Sequence, residues 1–145
     1  MYKTRKLEGV LPVVQSFFDK NGNIDETSTK KHIKFLTKSN VGGFWVLGTG
    51  SEDMNITFEK RLKISKLIST ENAGKLPLIL GCSFFCYEDI KKFIDQTGNL
   101  QFDAYHLMPY HPLLSLDRLT YLYEKISEYT VRKFKKPLWM YSSAN

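Results

Sequence analysis

Gly43-Phe44-Trp45-Val46-Leu47-Gly48-Thr49-Gly50-Ser51-Glu52 is the stretch whose reading decides the fold. An apolar run enters a turn of glycines and hydroxyl residues, and a helical pattern opens soon after, at Thr57. A near-continuous apolar run bounded by glycine reads as a strand covered on both faces, so strand, turn and helix together read as a βα unit. Working outward, the same unit recurs. Apolar runs at residues 10–17, 76–80, 104–108 and 138–141 are further predicted strands, and residues 26–39, 58–69, 87–97 and 117–129 carry apolar positions at a period near 3.6. Asp25, Thr57 and either Ser115 or Asp117 are placed to cap helix N-termini, while Asn40, Gly74 and Gly98 follow helix ends. The order βαβαβαβαβ leaves two architectures, an open doubly wound sheet or the first part of a (β/α)8 barrel, and no internal boundary divides residues 1–145.

Composition narrows the function classes. With 145 residues, 42% hydrophobic and 25% charged, the chain is sized for one domain and too apolar for disorder. Apolar runs such as 76–80 fall far short of the roughly 20 residues of a membrane span, and no apolar segment follows the charged N-terminus, so a cytoplasmic protein without membrane contact is expected. The net charge of +6 raises a nucleic-acid reading. Its distribution argues otherwise: Lys30, Lys31, Lys34 and Lys38, like Lys91 and Lys92, fall on the polar sides of amphipathic helices. Only Arg132, Lys133, Lys135 and Lys136 cluster densely, either as a polyanion site or as cations closing a helix C-terminus. Cys82 and Cys86 lack the second pair that a zinc site needs and read as free thiols; neither a metal nor a cofactor is expected.

Both architectures put chemistry at the carboxyl ends of strands, which collects Ser16-Phe17, Gly48 to Glu52, Gly81-Cys82-Ser83, Pro109-Tyr110-His111 and Tyr141-Ser142-Ser143. The Gly48 to Ser51 turn could offer backbone amides to a carboxylate or phosphate, or could need glycine only to turn. It fails as a dinucleotide fingerprint, because Asp53 stands where the third glycine belongs. Tyr141 could relay protons, and His111 could donate to a substrate. His106, inside a predicted strand, reads as a hydrogen-bonded wall residue, and His32 sits on a lysine-rich helix face.

Residues 19–25, 40–49, 57–61, 76–81, Met108-Pro109-Tyr110 and Leu138-Trp139-Met140-Tyr141, six segments in register, resemble the N-terminal half of the dihydrodipicolinate synthase and N-acetylneuraminate lyase family. The resemblance implies a (β/α)8 barrel, of which this chain would hold the first five strands with their helices, stopping after strand five. It also implies Schiff-base, aldolase-type lyase chemistry on pyruvate or a related 2-keto acid, and a homo-oligomer, usually a tetramer. By the same resemblance Tyr141 is the general acid/base, and Thr49 is the hydroxyl that hydrogen-bonds to it. Gly50 stands where the family has a second hydroxyl that binds the keto-acid carboxylate, and Ser51 where it has glycine, so these two are substrate-site positions with their residue types exchanged. Tyr110 and His111 are also substrate-site positions, His111 replacing a second tyrosine. Ser142-Ser143-Ala144 replaces the usual Asn-x-Pro.

The implied Schiff base needs a desolvated lysine at a strand's carboxyl end, which the family places on strand six. That position lies beyond Asn145, and Lys75, Lys135 and Lys136 all precede their strands. The chain alone is therefore expected to be inactive. The alternatives are a non-catalytic half-barrel serving binding or assembly, and an anion- or nucleic-acid-binding protein using the cluster at residues 132–136.

Overall fold

The computed structural model describes residues 5–109 and 114–141. Four helices alternate with four parallel strands: α1 Glu26–Lys38, β1 Phe44–Val46, α2 Phe58–Asn72, β2 Leu78–Gly81, α3 Tyr87–Thr97, β3 Ala104–Leu107, α4 Leu116–Phe134 and β4 Leu138–Met140. The caps anticipated from sequence close three of the helices. Asp25 accepts from the Ser28 amide, Thr57 from Lys60 and Ser115 from Arg118, satisfying amides that the first turn leaves without helical partners.

The sheet order is β1-β2-β3-β4, every pair parallel. Each helix packs on the next, α1 on α2, α2 on α3 and α3 on α4, so all four cover one face. A doubly wound sheet reverses its strand order and carries helices on both faces; sequential order with helices on one side is the arrangement of barrel strands. The register sorts side chains accordingly. Phe44, Val46, Leu78, Leu80, Tyr105 and Leu107 meet Ile33, Ile64, Ile68, Ile90, Phe93, Ile94 and Ile126 of the helices in one buried core. Trp45, Ile79, Gly81, Ala104, His106 and Trp139 share the other face.

Residues 10–17 do not form the expected strand, and the described residues hold four strands rather than five. The segment pairs with β1 through a single parallel bridge, Val13 to Trp45, with Trp45 N–H donating to Pro12 O at 2.9 Å and Val14 N–H to Trp45 O at 2.8 Å. The ladder stops for a reason at each end. The preceding rung requires a donor at residue 12, and proline has none. The following rung requires residue 47 in extended conformation, and Leu47 has φ 56°.

The amino-terminal side of the sheet is clamped by Arg5. Its guanidinium donates to both Asp103 carboxylate oxygens, at 2.8 and 2.7 Å, and to the Gly74 and Leu76 carbonyls. Asp103 in turn accepts from the Leu78 amide at 2.8 Å. Among the described residues no strand pairs with the outer edge of β4, where Met140 and Leu116 are exposed beside a groove of about 680 Å³ lined by Leu119, Tyr123 and Leu138.

Candidate functional site

Parallel pairing brings the carboxyl ends of β1 to β4 to one rim. The loop after β1 begins at Leu47, whose side chain is buried in the core. It continues through two short 3-10 turns, Thr49–Ser51 and Asp53–Asn55, joined by Glu52 at φ 56°. Ser51 closes the first turn, its buried hydroxyl donating to Gly48 O at 2.8 Å and accepting from Gly48 N–H at 3.1 Å. That hydroxyl serves the turn itself. Thr49 and Gly50 are exposed on the turn, and a Cβ added at Gly50 would meet Val13 at an ordinary 3.5 Å.

Tyr141, at the end of β4, stands edge-on to Trp45 with ring centroids 6.1 Å apart. Trp45 also meets Trp139 at 6.2 Å and His106 at 4.7 Å, and its ring lies 3.3 Å from where a Cβ on Gly48 would sit. The tryptophan therefore links the tyrosine to the base of the turn. No hydrogen bond joins Thr49 to Tyr141 among the described residues. Tyr110, His111 and Ser142 to Ala144 lie outside the described residues.

His106 is the hydrogen-bonded wall residue that the sequence suggests. Its Nε2 pairs with Leu47 O at 2.9 Å, and burial lowers its pKa to about 4, so the ring is neutral at pH 7. A second tie was not legible from sequence. Arg61, buried at the start of α2, donates to the Ser83 and Ile56 carbonyls, approaches the Asp53 carboxylate at 3.9 Å and stacks 4.2 Å above Phe84. Ser83 Oγ then accepts from Met108 N–H at 2.8 Å. Three strand-end loops are thereby joined through buried polar groups. The only sequence signal is Arg61 falling on the α2 stripe with Ile64, Ile68 and the other buried positions.

No lysine directly follows any of the four strands. Lys136 lies at the opposite end of the sheet, donating to Leu100 O at 2.6 Å, with its pKa lowered to about 8 by burial. The other cations of the 132–136 cluster have local partners too: Arg132 pairs with Glu128, Lys133 with Asp95, and Lys135 with the Arg132 carbonyl. The C-terminus of α4 itself is closed by the backbone of Lys135, left-handed at φ 57°, whose N–H donates to the Thr130 and Val131 carbonyls. The Cys82 thiol is buried, its pKa raised by desolvation, whereas Cys86 is exposed. Among the described residues no group of three His, Cys, Asp or Glu side chains could hold a metal ion, and no helix is long and apolar enough to cross a membrane.

Residues 6–132 match the dihydrodipicolinate synthetase family. Among curated relatives, the 4-hydroxy-tetrahydrodipicolinate synthase of Phocaeicola vulgatus is 25% identical over 131 residues, 90% of this chain and 44% of that protein. Among solved structures, N-acetylneuraminate lyase from Mycoplasma synoviae superposes with a TM-score of 0.84 at 25% identity, covering 94% of this chain and 46% of the lyase. A prophage protein of Escherichia coli K12 from the dihydrodipicolinic acid synthase family, solved in complex with pyruvate, shares the fold with a TM-score of 0.82 at 20% identity, over 92% of this chain and 44% of that one. The chain thus spans less than half the length of each.

Proposed function

The chain belongs to the dihydrodipicolinate synthetase family, and from that premise we propose that it forms the keto-acid-recognition and proton-transfer part of a cytoplasmic Schiff-base lyase acting on pyruvate or a related 2-keto acid. The observation that carries this reading is the meeting of Tyr141 and the base of the Gly48–Ser51 turn on one side chain, Trp45, at the carboxyl rim of the sheet. In the proposed site Tyr141 protonates the carbinolamine hydroxyl so that it leaves as water, and later moves the proton at the carbon-carbon bond. Thr49 supplies the hydroxyl that orients the phenol. The backbone of Thr49 to Ser51 receives the substrate carboxylate, with Gly50 and Ser51 as its contact positions and Tyr110 and His111 as further substrate-binding residues. The nucleophilic lysine comes from polypeptide outside residues 1–145, and without it this chain does not turn over substrate. The strand that carries this lysine would cover the exposed apolar edge at Leu116 and Met140, and the assembled lyase is a homo-oligomer.

A second reading, a half-barrel kept for binding or assembly, is favoured by one observation. Ser51 turns its hydroxyl back on Gly48, and Gly50 has none to offer. Borohydride reduction in the presence of pyruvate, followed by peptide mass mapping, separates the two. The measurement is made on this chain and on the product of the source gene read past the Asn145 codon. An adduct on a lysine outside residues 1–145 supports the lyase reading. A stop after Asn145, no adduct in the longer product, or an adduct on Lys136 overturns it.

A further inference from the structure

We propose that His106 is the positioning residue of the Gly48–Ser51 turn, holding it by a hydrogen bond that reaches from β3 across β2 to the end of β1. This deepens the keto-acid reading and, as regards substrate, rests on it.

Three observations converge. His106 pairs in register with Gly81 of the intervening strand. A Cβ at Gly81 would lie 1.7 Å from Leu47 O and 2.7 Å from His106 Nε2, so only a bare α-carbon leaves the path between them open. Leu47 holds φ 56°, a backbone conformation that a leucine rarely adopts, and its carbonyl is the acceptor of the bridging bond. A carbonyl can only accept, so Nε2 carries the proton and Nδ1 is bare; the fully buried Nδ1 has no hydrogen-bond partner. The tautomer is thus set by Leu47. The same imidazole also backs Trp45, the ring that stands edge-on to Tyr141 and fills the space that a Cβ on Gly48 would need. One side chain that need not touch substrate thereby supports the turn and the tyrosine together.

The test compares His106→Gln, whose amide nitrogen can occupy the Nε2 position, with His106→Asn, whose shorter side chain places it at Nδ1. Ser51 N–H and Glu52 N–H, which bond to Gly48 O and Thr49 O, report on the turn, and Leu80 and Tyr105 report on the sheet. In His106→Asn, exchange of the turn amides is expected to accelerate about five- to tenfold, the loss of one net hydrogen bond, with the sheet amides unchanged; His106→Gln should stay within about twofold of the parent. Equal acceleration of turn and sheet, or no difference between the two variants, overturns the proposal. Imidazole nitrogen shifts of the parent chain give a check that needs no variant: protonated Nε2 with bare Nδ1 is expected, and the opposite tautomer overturns it. Pyruvate titration followed by amide shifts completes the test. Weaker binding in His106→Asn with recovery in His106→Gln supports the proposal, and equal binding in all three overturns it for the site. If the parent binds no pyruvate while the exchange pattern holds, the keto-acid reading falls and the positioning role stands.

Discussion

His106 makes stability depend on pH in a window that one substitution should erase. Its folded pKa is held near 4 by burial, against an ordinary value of 6.5. For a group depressed in this way, stability is complete above the unfolded pKa and is lost as pH falls toward the folded one, because the unfolded chain binds the proton first. At 1.36 kcal/mol for each unit of pKa, the imidazole should withdraw about 2 kcal/mol between pH 7 and pH 4.5. Glutamine at position 106 can keep the bond to Leu47 O and does not titrate. Urea unfolding of the parent and of His106→Gln, followed by tryptophan fluorescence at pH 7.0, 5.5 and 4.5, should therefore give free energies that diverge on acidification, the parent falling by about 2 kcal/mol more. Carboxylates and His32 titrate in both proteins and cancel in the comparison. Parallel curves would refute the reasoning and place a protonated imidazole comfortably inside the sheet.

Asp103→Asn should cost about 2 kcal/mol in urea unfolding at pH 7, because the carboxylate accepts from Arg5 twice and from the Leu78 amide, its side chain only 14% exposed; a loss under 0.5 kcal/mol would make the clamp equivalent to a surface ion pair. Gly98 has an ordinary helical backbone, φ −58°, but a Cβ there would meet the Phe134 ring at 2.1 to 2.4 Å. Gly98→Ala should thus destabilise by about 1 to 2 kcal/mol, with Phe134→Leu restoring much of it in the double variant, whereas a gain of stability would show that the ring yields freely. A Cβ added at Gly50 meets only ordinary contact with Val13, and Gly50 has no left-handed φ, so Gly50→Thr should fold normally. If Gly50 occupies the carboxylate position, the added hydroxyl should tighten pyruvate binding about fivefold in an amide-shift titration, and unchanged affinity would remove Gly50 from the site.

How far these features could be read from residues alone depends on whether their cause is local. Period and capping are local, so each of α1 to α4 and β1 to β4 falls where it is expected and Tyr87–Thr97 coincides with its expected bounds, while α2 runs on to Asn72 and α4 to Phe134, beyond the expected ends at residues 69 and 129. The segment at residues 10–17 has the apolar character of a strand, yet its ladder is cut by the missing donor of Pro12 and by the left-handed Leu47, which lies thirty-odd residues away in the chain. Ser51 shows the same limit within the site. Its residue type announces a donor, but only the folded turn shows that Gly48 takes it. Arg61 lies on the stripe of α2 that carries Ile64 and Ile68, but only the fold shows the Ile56 and Ser83 carbonyls, Asp53 and Phe84 gathered around its buried guanidinium. The basic cluster at residues 132–136 runs the other way, since local sequence already offers Glu128 one turn before Arg132 as a partner.

The keto-acid site proposed at the carboxyl rim is tested most directly by titrating the isotopically labelled chain with pyruvate and following every backbone amide. Saturable shifts centred on Gly48 to Ser51 and Tyr141, with smaller changes at the Trp45 and Trp139 indoles, are the expected result. Shifts centred instead on the Arg5, Asp103 and Lys136 end of the sheet, or none that saturate, would contradict it.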